Sequence, residues 1–199
     1  GPSYQPGHAH ADTLSYEFSL GNQRVFVNSG ISEYGLNEER LRQRKTAAHN
    51  TVVVNNLDSS QVWSGFRVAK RACVLNRIVN PIVNNSARFS AEHNGFKKQG
   101  VNCIHHREWL AEHGSITITD RLIGHYINAI GYLHLHPDID ILNVSDDEVQ
   151  LASGDYNLYI KVFGADVSIE DTTWHPEFGI IIKNKKLSFS FKQSTMSIV

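Results

Sequence analysis

Apolar and polar residues alternate along most of this chain. Over 14–20, Leu14, Tyr16, Phe18 and Leu20 interleave with Ser15, Glu17 and Ser19, the two-residue period of a strand with one buried face. Gly21-Asn22 then reads as a hairpin turn into QRVFVN at 23–28. Strand-like runs return in TVVVNN (51–56), RVAKRACVL (67–75), ARFSAEH (87–93), IHHREWLA (104–111) and SITITDRLI (115–123). They continue in AIGYLHLH (129–136), EVQLAS (148–153), NLYIKVFG (157–164) and GIIIKNKKLSFSFK (179–192). His113-Gly114, Ser153-Gly154-Asp155 and Asn184-Lys185 supply turns between them, at the spacing of a sandwich or barrel. The pattern predicts an all-β fold, a large two-sheet antiparallel β-sandwich in which 1–199 form a single domain. One stretch breaks the alternation. LNEERLRQR at 36–44 is dense in charge and reads as a short surface helix or a loop with a solvated face.

Composition narrows the partners more than the chemistry. The 199 residues are 41% hydrophobic and 20% charged, ordinary for a globular domain and long enough to bury about 70% of the unfolded surface. A net charge of −1 provides no basic field, so no nucleic-acid partner is expected. No apolar run approaches the ~20 residues of a membrane span, so no membrane insertion is expected. Cys73 and Cys103 show no CxxC spacing; they read either as two buried thiols or as a facing pair on neighbouring strands. The eleven histidines stand out, because imidazole is both proton shuttle and metal ligand near neutral pH.

Where those histidines fall matters. HAHAD at 8–12 sets His8, His10 and Asp12 two residues apart; if extended, they share one face while Ala9 and Ala11 turn toward packing. Crowding such groups costs desolvation and repulsion unless they hold an ion or move a proton. TAAHNT puts His49 directly before TVVV, after a segment carrying Arg40, Arg42, Arg44 and Lys45. His93 ends a strand in AEHNGF, and LHLHPDID repeats the two-apart spacing with His134 and His136. An HxH pair with one distant His suits zinc, which takes three or four N, O or S ligands, yet such pairs also occur on solvated strands. A cupin site would need a Glu four or five residues after the second His, and the first Glu here is Glu17, seven residues after His10. Trp63, Trp109, Trp174 and Phe66 are expected to pack rather than to stack on sugar.

Taken in order, PGHAHADTLSYEFSLGNQRVFVNSG, EYG, RQRKTAAHNTVVVNN and WSGFRVAKRA, followed by AEHNGF, IHHREW, LHLHPDIDI and WHPEFGIII, resemble the C-terminal portion of the heparinase II/III family of bacterial polysaccharide lyases. The resemblance implies a sandwich that follows an N-terminal helical toroid, absent from this chain, with the catalytic cleft between the two. It implies β-elimination on an acidic, uronic-acid-containing polysaccharide in the periplasm or outside the cell, with this region inactive alone. By the same resemblance His8 is a catalytic histidine and Tyr34, in SEYG, a second catalytic residue. Arg44 and Lys45 would supply positive charge beside Tyr34 and bind the uronate carboxylate, Arg in bidentate fashion. His10 and His49 match ligands of a zinc ion that orders loops rather than activating water. The third ligand position, an Asp in a VDPGT-like turn, is Asn28 in VNSGI, which offers a carbonyl oxygen without charge. His93, His105, His106 and Arg107 are expected to be structural, and His134 and His136 to lie on a sheet face. The alternative is a non-catalytic carbohydrate-binding or structural module.

Overall fold

The computed structural model describes residues 6–83 and 85–199. The strands are β1 (Phe18–Leu20), β2 (Gln23–Phe26), β3 (Val52–Val54), β4 (Gln61–Trp63), β5 (Arg67–Ala69), β6 (Val74–Val83), β7 (Ser86–His93), β8 (Cys103–Glu112) and β9 (Ser115–Gly124). They continue as β10 (Ala129–His134), β11 (Asp140–Val144), β12 (Glu148–Ser153), β13 (Tyr156–Phe163), β14 (Ala165–Trp174), β15 (Ile182–Phe191) and β16 (Thr195–Ile198). Helices α1 (Glu38–Arg44) and α2 (Gly95–Lys98) interrupt them. An eight-stranded sheet, β11-β12-β13-β16-β9-β8-β7-β6, faces a four-stranded one, β14-β15-β10-β3, and β1-β2 and β4-β5 form small hairpins. The strand pairings are antiparallel throughout, as expected.

The main core fills the space between the two sheets. Ile118, Val149, Leu151, Ile160, Val162, Met196 and Ile198 of the large sheet meet Leu133, Leu187 and Phe189 of the small one, with Val25 and Phe26 of β2 closing one side. Each such side chain contributes about 1.5–3 kcal/mol on burial. A second cluster, Val52, Val54, Phe96, Cys103, Leu122 and Ala129, carries the packing under β3. It fixes the strand that His49 precedes.

Two local expectations are corrected. HAHAD is not extended: Pro6–His8 is a 3-10 turn, closed by the Ala9 N–H donating to Pro6 O at 2.9 Å. The main chain beyond it bonds to the α1 region instead of a neighbouring strand, with Ala11 N–H donating to Arg44 O at 2.8 Å and the Thr46 hydroxyl donating to Ala11 O at 2.7 Å. Ala11 is buried as expected. The charged 36–44 segment is a helix, N-capped by Asn37, whose side chain accepts the Arg40 N–H at 2.8 Å. Glu38 and Glu39 sit in its first turn and Arg42 and Arg44 in its last, the sense the helix dipole favours. Yet its face is not solvated: Arg40, Gln43 and Arg44 are all buried. Of the cysteines, Cys73 is exposed and Cys103 buried, both free, and β7 lies between the strands they adjoin.

Candidate functional site

The site forms where the N-terminal turn, α1, the 28–36 loop and the β4-β5 hairpin meet beside the start of β3. Asn50 anchors it. Its side chain donates to Tyr16 O at 2.8 Å and Val27 O at 3.2 Å and accepts the His134 N–H at 2.7 Å, which holds the TAAHNT segment against β2 and β10. Neighbouring His49 is thereby aimed inward, 4% exposed.

His10 and His49 meet directly, Nδ1 of the first lying 3.1 Å from Nε2 of the second. Arg40 Nη1 lies 3.4 Å from His10 Nε2. A guanidinium can only donate, so His10 Nε2 is the bare nitrogen, its Nδ1–H donates to His49 Nε2, and the His49 proton sits on Nδ1. That last N–H is buried without a hydrogen-bond partner. Burial lowers the His10 pKa to about 4, with His49 and Arg40 adding to the effect. Burial likewise lowers His49 to about 3, helped by His134; the Gln43 main chain pulls upward, though it does not meet Nδ1 in hydrogen-bond geometry. Both rings are neutral at pH 7.

His8, two residues away, joins a different group. Its ring stands edge-on to Tyr34 at 5.3 Å between centroids and near Phe66 at 6.2 Å. Tyr34 stacks on Phe66 at 6.3 Å and on Phe178 at 5.6 Å. All three rings are exposed, Phe178 by 65%. The 64–66 turn approaches the 33–36 loop so closely that a Cβ on Gly65 would run into the Gly35 carbonyl, which is what places Phe66 beside Tyr34. Phe66 therefore lines the site instead of packing inward. Phe178, in WHPEFG, had no signal beyond its aromatic character. The Gly30–His175 bridge and the Gly179 N–H donating to Ser32 O at 2.7 Å bring it in.

The remaining expected residues divide. Arg44 is fully buried, its guanidinium donating to Ala9 O at 3.0 and 3.1 Å, Ser64 O at 2.8 Å and Arg67 O at 3.1 Å. With its donors tied to main-chain oxygens, it is a clamp between loops and not a free partner for a uronate. Lys45 is exposed. The cation beside Tyr34 is Arg40, its Cζ 5.1 Å from the ring centroid. Asn28 turns its amide elsewhere: Oδ1 accepts the Asn50 N–H at 3.2 Å and Nδ2 donates to Glu17 at 3.1 Å. His134 donates from Nε2 to Ala47 O at 2.9 Å, whereas His136 lies beyond β10, its ring 4.5 Å from that of Trp174.

The expected zinc donors can be tested against this geometry. Two neutral imidazole nitrogens face each other, but Asn28 is committed to Asn50 and Glu17, and an arginine borders His10. Among the described residues, no three His, Cys, Asp or Glu side chains are placed to hold a metal ion. A structural zinc site closes four N, O or S ligands. The residues present do not fit one.

The family model described as heparinase II/III-like, C-terminal, matches residues 1–198, and the chain belongs to that family. Among solved structures it is similar to heparan sulfate lyase HepC from Pedobacter heparinus, with 19% identity, a TM-score of 0.75 and 96% of this chain covered against 30% of that one. A mutant of that enzyme gives 19% identity and a TM-score of 0.75, over 98% of this chain and 31% of that one. A heparinase III gene product gives 17% identity and a TM-score of 0.74, over 96% and 30%. At such identities the likeness establishes the fold, and the chain spans about a third of the length of these structures. No curated protein matches it significantly.

Proposed function

We propose that this domain forms one wall of the active site of a polysaccharide lyase, in which His8 and Tyr34 are the proton-transfer pair for β-elimination on a uronic-acid-containing polymer. The observation that carries the reading is the edge-on contact of the His8 and Tyr34 rings, 5.3 Å apart, within an exposed aromatic patch. An imidazole nitrogen takes the C5 proton of the uronate and the C5–H electrons form the C4=C5 double bond. The C4–O bond breaks, and the departing oxygen receives a proton from the Tyr34 hydroxyl. General acid and base groups of this kind contribute about 10²–10⁴-fold each when positioned. Phe66 and Phe178 offer apolar faces against which sugar rings can stack. Other sugar contacts would come from the helical domain that the family pattern places before this one, and location in the periplasm or outside the cell would follow from such a substrate.

In the intact protein, His8→Ala is expected to abolish formation of the ultraviolet-absorbing unsaturated product from uronic-acid polymers, with an unchanged urea midpoint. Tyr34→Phe is expected to lower it at least 10²-fold. Near-normal product formation by His8→Ala removes His8 from the mechanism. The exposed rings also favour a second reading, a sugar-binding module without catalysis. An intact protein that binds such polymers but never yields unsaturated ends supports that reading instead.

A further inference from the structure

The buried cation beside Tyr34 at this site is Arg40. Its side chain is fully buried, and it has no carboxylate partner among the ion pairs of the described residues. The adjacent Glu39 turns to Arg42, at 2.7 Å, to Gln43 at 2.8 Å and to His175 at 3.3 Å. Asp58 accepts the Thr46 N–H at 2.7 Å. Two guanidinium nitrogens, Nε and Nη2, are buried without any hydrogen-bond partner, while Nη1 faces His10 and the Tyr34 ring covers the Cζ. An uncompensated buried cation is costly. On α1 the neighbouring Glu39 projects to another side of the helix and pairs with Arg42, so the Arg40 charge stays uncompensated.

We infer that Arg40 is the resident cation of this domain: a guanidinium fixed on α1, against the side of His10 that faces away from His49, supplies the positive charge that a divalent ion would bring to the histidine pair, and the domain folds without metal. Three observations converge. Arg40 donates to His10 Nε2, the nitrogen facing away from His49, and so sets which nitrogen of each ring carries the proton. Asn28, in place of a carboxylate, removes the negative charge that a divalent ion needs and is itself tied to Asn50 and Glu17. A second cation introduced beside an unpaired guanidinium meets repulsion in a poorly screened pocket. The inference does not depend on the lyase reading, because its tests need no substrate.

The purified chain, stripped with EDTA and then desalted after equimolar Zn²⁺, is expected to retain less than a tenth of an equivalent and to keep the same melting temperature. Retention that survives His49→Gln belongs to other imidazoles and leaves this site metal-free. Ring ¹⁵N spectra are expected to show His10 protonated at Nδ1 and bare at Nε2, a signature lost in Arg40→Met and kept in Arg40→Lys. The double variant Asn28→Asp/Arg40→Met, with a carboxylate supplied and the cation gone, is expected to take up one equivalent of Zn²⁺ and to release it on further change of His49→Gln. One equivalent retained by the unmodified chain and lost in His49→Gln overturns the inference. So does a folded double variant that takes up no ion, since the charge of Arg40 would then not be what keeps the ion out.

Discussion

The buried chain His93–His105–Asp120–Arg107 and the chain His49–His10–Arg40 at the domain's edge use the same groups, two linked imidazoles and an arginine, toward opposite ends. In the first, the Gly95 N–H donates to His93 Nδ1 at 3.2 Å, His93 Nε2 meets His105 Nδ1 at 3.1 Å, and His105 Nε2–H donates to Asp120 at 2.6 Å. Arg107 closes it with two bonds to Asp120, at 2.7 and 2.8 Å, and with donations to Leu14 O and Asn50 O at 2.8 and 2.6 Å. Each ring nitrogen has a partner, and the charge of the arginine is cancelled. In the second chain the arginine has no carboxylate, and Arg40 Nε, Arg40 Nη2 and His49 Nδ1 are unmet. Complete satisfaction marks a brace. Buried polar groups left open mark a place where the fold tolerates cost for another purpose.

The strongest way to break this contrast is to uncancel the charge in the brace. Asp120→Ala leaves Arg107 buried and unpaired in the large sheet and deprives His105 of its acceptor. A loss of about 3–5 kcal/mol is expected in urea unfolding, the cost of removing one partner of a buried pair. Arg40→Met, which removes a cation already lacking a partner, is expected to cost far less in the same measurement. Equal losses would erase the distinction between the two chains.

Arg44 sharpens it from another side. Although adjacent to Lys45 in sequence, it ties the oxygens of Ala9, Ser64 and Arg67 together. Arg44→Met strands those acceptors and should destabilise the domain by about 2–3 kcal/mol. Lys45→Ala, at an exposed position, should stay within about 0.5 kcal/mol. Equal effects on denaturant midpoints would show that burial does not separate these two basic residues.

How far the sequence foretells this depends on which residues act alone and which act through long-range contacts. Period-two alternation announced β8, β9, β12 and β13 nearly to their ends, because each buries mainly one face, and β7 as well, although its Ser90 and Ala91 are both buried. It missed β14, ADVSIEDTTW, whose middle is largely exposed on an edge, and most of β6, an edge strand that tolerates Pro81. HAHAD was legible as a cluster of polar side chains but not as a turn, since its shape is set by Arg44 and Thr46 more than thirty residues away. The basic run at 40–45 was visible as charge alone. Which of its cations would clamp loops, which would face solvent and which would stand under Tyr34 is decided by tertiary contacts that no local spacing encodes. Asn50 carried no signal either, though one side chain joins three segments there.

Acid should act on the edge site through its buried histidines. His49 has its pKa lowered to about 3 by burial and His134, beneath it, to about 4, also by burial, against an unfolded value near 6.5. A depressed histidine stays neutral in the folded protein while the unfolded chain takes up a proton. Its favourable contribution is therefore complete above pH 6.5 and is lost as pH falls from there toward the folded value. Each such group steepens the decline by up to about 1.4 kcal/mol per pH unit. His49→Gln should thus flatten the pH dependence of the unfolding free energy between pH 6 and 4 by close to one proton, read from urea titrations at each pH. An unchanged slope would mean that His49 is charged in the folded state, and the neutral imidazole pair proposed for the edge site would fail with it.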